Sequence, residues 1–171
     1  ANRHFRYPRE VTSDRQRVRI AGRYALFAQI GAGGMASVHL GRLIGTVGFT
    51  RTVAIKVLHA SFAKDPDFVA MLLDEARITA LIQHPNVVST LDIVTTGGEL
   101  FVVMEYVHGL SLSELIDLCQ AKGEKIPVRI AAGILNGVLL GLHSAHETTN
   151  HGKPLGIVHR DVSPHNILVG Q

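Results

Sequence analysis

An acid and an amide lie five positions apart near the end of the 171-residue chain. Asp161 follows His159 by two positions, and Asn166 completes a polar run between the apolar segments 156–158 and 167–169. Short apolar runs are typical of buried strands, so we expect the polar run to be a tight loop on a packed base. A carboxylate there can accept a hydroxyl proton, and an amide oxygen can bind a hard cation such as Mg²⁺. The alternative is a surface turn in which both side chains only cap backbone groups.

A lysine and a glutamate form a second candidate pair. Lys56 lies in the strand-like run 52–58, where alternation places it on the same face as Ala54. The next segment is predicted to be a helix capped by Asp65, and Glu75 falls on its apolar face. Because an unpaired charge among apolar groups is costly, we expect an ion pair between Lys56 and Glu75. The alternative is a lysine at an edge strand that extends its ammonium group to solvent.

A glycine-rich turn precedes both pairs. Residues 31–36 follow a strand pattern at 24–30 and precede another at 37–40. Glycine lets the backbone approach an anionic ligand and turn its N–H groups toward it. The spacing also fits the dinucleotide fingerprint, which requires a following helix and an acid about 20 residues further on. A strand pattern follows instead, and Lys56 stands where the acid should be, so a dinucleotide-binding enzyme is disfavoured.

Composition and charge indicate an ordinary globular protein. The chain is 46% hydrophobic and 18% charged, and the single Cys119 suits a reducing compartment, so we expect a cytoplasmic location. The formal net charge is +3, but residues 1–23 carry seven arginines against two acids. The remainder is therefore slightly acidic, which argues against a nucleic-acid-binding surface. We expect residues 1–23 to be a flexible basic leader.

No targeting or membrane segment is predicted. The arginine-rich residues 1–23 lack the apolar core of a signal peptide. The most membrane-like segment, 130–142, is shorter than the roughly 20 residues of a span and is interrupted by Asn136. The wider apolar helix pattern, 127–145, is apolar almost all round and should be buried, yet few residues remain to cover it. We therefore expect the chain to be a piece of a longer protein, and whether a membrane anchor follows stays open.

Taken in order, these motifs resemble the protein-kinase family. The shared features are the glycine turn between strands, Val53-Ala-Ile-Lys56, an acid on the following helix, and His159-Arg-Asp161-x-x-x-x-Asn166. Gly33-Gly-Met35 and Met104-Glu-Tyr-Val107 resemble in particular the bacterial, eukaryotic-like (Hanks-type) serine/threonine kinases. The resemblance runs from about Tyr24 to the end of the chain.

The resemblance implies an α+β, protein-kinase-like fold. Residues 24–106 would form the N-lobe, with an antiparallel five-stranded sheet and one αC helix. Residues 107–171 would form the hinge and the first, mainly helical part of the C-lobe, ending just after the catalytic loop.

The resemblance also implies a site for ATP and Mg²⁺. Asp161, Lys56 and Glu75 would be catalytic, and Asn166 would be a metal ligand. Met104 would be the gatekeeper, Glu105 and Val107 would bind adenine through backbone groups, and glycine-turn residues would cover the phosphates. The implied ATP-contacting residues are Ile30, Gly31, Ala32, Gly33, Gly34, Met35, Ala36, Ser37, Val38, Ala54, Lys56, Met104, Glu105, Val107 and Leu168.

The implied function is phosphoryl transfer to serine or threonine hydroxyls of proteins by the full-length parent. Ser163 departs from the family pattern, which usually has a lysine that contacts the transferred phosphate, and Ala36 replaces the third glycine of the turn. The chain ends before an Asp-Phe-Gly segment, so we expect residues 1–171 alone to be inactive. The alternative is a kinase-like scaffold that binds ATP without transferring phosphate.

Overall fold

Six strands in the first half of the chain form one sheet. The computed structural model describes residues 18–45, 48–59, 62 and 65–170. Every neighbouring pair is antiparallel, in the order β1-β2-β3-β4-β6-β5, which confirms the predicted antiparallel sheet. The strands are β1 (Arg19–Ala21), β2 (Tyr24–Ala32), β3 (Ala36–Ile44), β4 (Thr50–Leu58), β5 (Thr90–Thr96) and β6 (Glu99–Glu105).

The sheet has six strands rather than the expected five. Strand β1 belongs to the segment predicted to be a flexible leader, and it pairs with β2 through a turn at Gly22, where φ is +57°. Ala21 is only 1% exposed, whereas Ile20 points outward, so β1 has the period of a strand with one buried face. The high arginine content of the segment concealed this short alternation. Residues 1–17, the rest of the predicted leader, lie outside the described residues.

The two ends of the sheet approach each other. Arg19 of β1 forms an ion pair with Glu99 of β6. Arg23 donates to Asp92 Oδ2 of β5 at 3.0 Å, and the hydroxyl of Tyr24 donates to the same oxygen at 2.8 Å. The curled sheet therefore encloses its own core, which is made of Ala21, Tyr24, Leu26, Val53, Ile55, Val57, Phe101 and Val103.

Helix α1 (Pro66–Thr79) packs on the other face of the sheet. The carboxylate of Asp65 accepts from the N–H groups of Asp67 and Phe68, as predicted for the helix cap. The buried stripe is made by Leu72 and Ala76 rather than by all of the apolar side chains at helical spacing. Its partners on the sheet are Leu58, Leu100 and Val102.

The second half of the chain consists of short strands and two longer helices. Strands β7 and β10 pair antiparallel, and so do β8 and β9. A capping box between Ser111 and Glu114 begins α2, as predicted. The elements are β7 (Gly109–Ser111), α2 (Leu112–Ala121), α3 (Val128–His146), β8 (Thr149–Asn150), β9 (Lys153–Pro154), a 3₁₀ turn (Pro164–Asn166) and β10 (Leu168–Gly170).

Helix α3 has the length predicted for the pattern 127–145, but it is more exposed than the sequence suggested. It has 19 residues and a mean hydropathy of 1.4, so it is long and apolar enough to cross a membrane, a criterion that a core helix of a folded domain also meets. Its small residues contact the loop that follows α1. A Cβ atom at Gly141 would lie 2.7 Å from Asn86 O, and one at Gly137 would lie 3.1 Å from Asn86 Nδ2. Close packing of α3 on this loop joins the two halves of the chain.

Candidate active site

The predicted ion pair between strand and helix is present. Lys56 Nζ lies 3.6 Å from Glu75 Oε1. The two side chains are 31% and 57% exposed, so the pair is accessible to solvent and is not the buried pair that the apolar surroundings suggested. An exposed pair contributes up to about 1 kcal/mol to stability, less than a buried one can cost when broken. The pair therefore contributes little to the stability of the fold.

Strand alternation places other predicted residues next to this pair. Val38 stands opposite Lys56, and Ala54 stands opposite Met104, so these side chains share the α1 face of the sheet. Between that face and α1 lies a cavity of about 110 Å³. It is lined by Lys56, Leu72, Glu75, Ala76, Thr79, Val88, Thr90, Val102 and Met104.

The glycine turn is closed by backbone hydrogen bonds. Gly33 N donates to Ala36 O at 2.8 Å, which leaves Gly34 and Met35 at the tip between β2 and β3. Because a strand follows the glycines, the structure lacks the helix that a dinucleotide fingerprint requires, and that alternative is wrong.

His59, which the sequence analysis did not select, holds this turn from the end of β4. Its backbone N–H donates to Met35 O at 3.0 Å, and its Nε2 lies 3.2 Å from Gly33 O. A carbonyl oxygen only accepts, so Nε2 carries the proton in this contact. With two carbonyls of the turn engaged by one residue, the turn is fixed relative to Lys56, three positions earlier. Only a tertiary contact reveals this role, because in sequence His59 is merely the first polar residue after β4.

The connector between the two halves, residues 105–109, and β10, the strand after the loop, form one unit. Glu105 N donates to Ser89 O, so its carbonyl is the backbone group that could face a ligand. Leu112 N donates to Ile167 O at 2.8 Å, and Leu168 stands opposite Ser111 in the β7–β10 pair. A Cβ atom on Gly170 would lie 3.4 Å from a methyl group of Val107, so the connector packs on β10.

Two predicted apolar contacts for a ligand are exposed. Ile30 at the end of β2 and Leu168 at the start of β10 are each 48% exposed. Apolar side chains left at the surface on either side of a connector suit the faces of a planar, apolar ring.

The polar run near the chain end is a tight loop, as predicted, but the packed base expected beneath it is absent, because none of the described residues 156–169 is buried. Asn166 Nδ2 donates to Asp161 Oδ2 at 2.8 Å and to Asp161 O at 3.0 Å. Asp161 N donates to His159 Nδ1 at 3.3 Å, and Arg160 has a φ of +64°, in the left-handed region. The apolar residues 156–158 before the loop form no strand, in contrast to β10 after it.

The orientation of the amide fits a metal ligand. Both protons of the Asn166 amide are engaged by Asp161, so Oδ1 remains as the acceptor of this side chain, and an amide oxygen is a suitable ligand for Mg²⁺. Within the described residues, no group of three or more His, Cys, Asp or Glu side chains could enclose an ion.

Ser163 forms the start of the 3₁₀ turn. Its carbonyl accepts from Asn166 N at 3.0 Å, so its backbone supports the loop. Its short hydroxyl side chain stands where the family resemblance places a lysine. The structure therefore provides no cation at this position.

The site residues fall into two groups. Lys56, Glu75, Met104 and the glycine turn are held by the sheet and α1, whereas Asp161 and Asn166 are held within one loop. The connector and its contact with β10 link the two groups.

Comparison with known proteins gives a consistent assignment. A family model described as "Protein kinase domain" matches residues 24–171. The chain is 40% identical over 149 residues to the tyrosine-protein kinase MasK of Myxococcus xanthus, covering 86% of this chain and 23% of that protein. It is 37% identical to the serine/threonine-protein kinase PrkC of Bacillus subtilis and 35% identical to PknB of Mycobacterium tuberculosis. The chain covers 21% and 22% of those two relatives, so it spans less than a quarter of each of the three.

Solved structures agree with this assignment. The crystal structure of the Mycobacterium tuberculosis PknI kinase domain is similar with a TM-score of 0.67 at 26% identity. The match covers 88% of this chain and 56% of that kinase domain. The sheet, α1 and the loop that presents Asp161 thus form part of a larger known architecture.

Proposed function

Because the chain belongs to the protein kinase family, we propose that the full-length protein transfers the γ-phosphoryl group of ATP to serine and threonine hydroxyls of proteins. The observation that carries the proposal is that both polar pairs are formed, Lys56 with Glu75 and Asp161 with Asn166. Phosphoryl transfer depends mostly on positioning and charge stabilisation, and these pairs supply an oriented cation and an oriented carboxylate.

Each side chain has a defined task in this proposal, and Asn166 has two. Asn166 holds Oδ2 of Asp161, which leaves the other carboxylate oxygen to accept a hydrogen bond from the substrate hydroxyl and then its proton. Lys56, oriented by Glu75, binds phosphate oxygens. The N–H of Gly33 is engaged within the glycine turn, so the N–H groups at the tip of the turn would bind the same anionic group. Oδ1 of Asn166 would hold Mg²⁺, which when bound neutralises charge on the phosphate oxygens.

The nucleotide base would bind at the connector. Ile30 and Leu168 offer exposed apolar surface, and Ala54 and Met104 lie side by side on the sheet. Because the N–H of Glu105 is already bonded to Ser89, adenine would be recognised there through the carbonyl, with further backbone contact at Val107.

The proposal also specifies which type of hydroxyl accepts the phosphoryl group. PrkC and PknB are named serine/threonine kinases, whereas MasK, at 40% identity, is named a tyrosine kinase. We favour serine and threonine because two of these three relatives carry that name, although Ser163 offers no cation of the kind usual in that group.

The test is incubation of the full-length protein with labelled ATP, Mg²⁺ and a mixed protein substrate, followed by phosphoamino-acid analysis. Labelled phosphoserine and phosphothreonine are expected. Phosphotyrosine alone would contradict the proposed acceptor while keeping the kinase activity. ATP binding without incorporation would favour the scaffold, the alternative for which the short Ser163 side chain is the supporting observation.

Three further points belong to the proposal. Residues 1–171 alone should not transfer phosphate, since the matched kinase domain is nearly twice as long as the part covered. Helix α3 is proposed as a helix of the folded domain rather than a membrane span, because the likeness to that domain covers 88% of the chain. A cytoplasmic location and the absence of nucleic-acid binding are proposed from the sequence alone.

A further inference from the structure

Two threonines connect the end of α1 to the sheet beside the ion pair. Thr79 is the last residue of α1, and Thr90 is the first residue of β5. Their hydroxyl oxygens are 3.0 Å apart, and Thr79 Oγ1 also donates to Ala76 O at 3.1 Å. Both side chains are partly buried, and both line the cavity that Lys56 and Glu75 also line.

Proton counting fixes the direction of this contact. A hydroxyl group has one proton to donate, and that of Thr79 goes to Ala76 O. Thr90 must therefore donate to Thr79. The result is a directed chain from the sheet, through two hydroxyls, to the backbone of α1 at the residue next to Glu75.

The other contacts of α1 with the sheet are less directional. Leu72 and Ala76 pack on apolar side chains of β4 and β6, and hydrophobic contacts fix separation better than rotation. The ion pair is 3.6 Å long and its glutamate is 57% exposed, so it is too loose to set the orientation of the helix. Thr79 lies four residues after Glu75 and thus on the same side of the helix. A small rotation of α1 would break the hydroxyl contact and move Glu75 together with it.

We propose that Thr79 and Thr90 are positioning residues that orient α1, so that Glu75 holds Lys56 in place for the phosphates of ATP. This inference rests on the proposed function, since it concerns the same site. It assigns a polar, directional role to a boundary whose other contacts are a loose ion pair and apolar side chains.

The first measurement is the affinity of the full-length protein for ATP–Mg²⁺ after Thr90→Val. Valine keeps the shape of threonine but cannot donate a hydrogen bond. Thr79 still donates to Ala76 O, so no hydrogen-bond donor is left without an acceptor. Loss of one hydrogen bond of about 1 kcal/mol corresponds to a roughly fivefold higher Kd, with a smaller effect on kcat. Thr95→Val is the matched control, because Thr95 is exposed on the same strand, and it should leave Kd unchanged.

The same substitutions in a Glu75→Gln protein separate an effect on the position of Glu75 from an effect on overall stability. In a Glu75→Gln protein the hydroxyl pair has no ion pair to position, so Thr90→Val should add little to the Kd. Thr90→Ser, which keeps the hydroxyl, should restore the original Kd in the native background. If valine is not accommodated, Thr90→Ala compared with Thr90→Ser gives the same test, with thermal unfolding as the check on folding.

The outcomes divide clearly. The same loss of affinity in both backgrounds, or no rescue by serine, would show a structural role only and overturn the inference. Equal Kd values for Thr90→Val and Thr95→Val would overturn it while leaving the proposed function intact. An unsubstituted protein that fails to bind ATP–Mg²⁺ would overturn the proposed function and this inference together.

Discussion

The two halves of the chain support their parts of the site in different ways. In residues 18–105, the curled sheet buries its own core, and the most deeply buried large side chains are Phe101, Ile55, Val53 and Val103. In residues 106–170, Ala145 is the only buried apolar side chain among the described residues, and Val128 and Leu139 of α3 are 85% and 64% exposed. The first half thus carries a closed core, whereas the second leaves apolar surface uncovered.

This difference shows which contacts hold each functional pair in place. Lys56 and Glu75 come from a strand and a helix, so their contact depends on how α1 packs on the sheet. Asp161 and Asn166 belong to one loop, and their contact depends on hydrogen bonds within six residues. Substitutions in the sheet half should therefore act through ligand affinity and stability, and substitutions in the loop through chemistry.

The largest difference between the two halves is expected for substitutions of Asp161 and Lys56, because the first should affect kcat and the second the affinity for ATP. In the full-length protein, Asp161→Asn should lower kcat by about 10²–10⁴-fold, the usual contribution of a proton-accepting group, with the affinity for ATP nearly unchanged. Lys56→Met should instead raise the Kd for ATP–Mg²⁺, because it removes the cation that faces the phosphates. Steady-state kinetics and calorimetry measure the two effects separately.

Asp74→Asn is the matched control for these variants. Asp74 is an exposed carboxylate that pairs with Arg77 on the outer face of α1, beside Glu75 but directed elsewhere. Its replacement should change neither kcat nor the Kd. A large loss of ATP affinity in Asp161→Asn would contradict the division between the two halves.

Much of this arrangement was predictable from periodicity. Strand alternation around Lys56 and the cap at Asp65 predict the ion pair, because both depend on local sequence pattern. The exposure of Glu75 was not predictable, since it depends on how α1 rotates on the sheet. For the same reason, Met71 and Ile78, apolar side chains of α1 at helical spacing from Glu75, lie exposed.

The parts that the sequence concealed are tertiary contacts. Strand β1 is three residues long within an arginine-rich segment, and it is identified by its pairing with β2 and by the ion pair of Arg19 with Glu99. His59 has no motif of its own, because its role is a contact with a turn 24–26 positions earlier. In the loop, by contrast, the residue types alone indicated Asp161 and Asn166 as functional candidates, although the hydrogen bonds between them were not predicted.

Glycines of α3 test the junction between the halves. Gly141→Ala would place a Cβ atom 2.7 Å from Asn86 O, a backbone atom that cannot move aside cheaply, so a loss of about 1–3 kcal/mol is expected. Gly133→Ala in the same helix meets no atom within 4 Å and should stabilise by up to about 1 kcal/mol through helix propensity. Denaturant unfolding of the full-length protein measures both changes. An unchanged free energy of unfolding in Gly141→Ala would show that α3 does not pack on this loop.

A smaller effect is expected at the glycine turn. His59→Ala removes the side-chain bond to Gly33 O but keeps the backbone bond to Met35 O, so the turn should loosen without unfolding. A rise of about two- to fivefold in the KM for ATP follows from one lost hydrogen bond, with kcat little changed. His143→Ala, at an exposed position of α3, is the control. An unchanged KM would mean that the turn is held without His59.

The smallest effects on stability are expected at two carboxylates whose pKa values are lowered, one in each half. Burial raises the pKa of Asp92, but hydrogen bonds from Tyr24, Arg23 and the N–H of Ile93 outweigh it, so the net shift is downward. Hydrogen bonds from the hydroxyl and N–H of Ser111 lower the pKa of Glu114. Each group therefore stabilises the fold above its unfolded pKa, near 4, and this stabilisation is lost as the pH falls through the folded pKa.

Loss of the Asp92 contacts should affect a larger part of the fold than loss of the Glu114 contacts, although both carboxylates stabilise the fold at neutral pH. Asp92 connects β5 to residues 68 and 69 positions earlier, whereas Glu114 contacts a residue three positions away. Asp92→Asn should lower the unfolding temperature at pH 7, with the difference from the native protein shrinking toward pH 3, and should speed amide exchange in β1, β2 and β5. Glu114→Gln should speed exchange only in the first turn of α2. Exchange confined to a few residues around Asp92 would mean that the sheet stays closed without this carboxylate, because its apolar core is then sufficient to hold the two ends together.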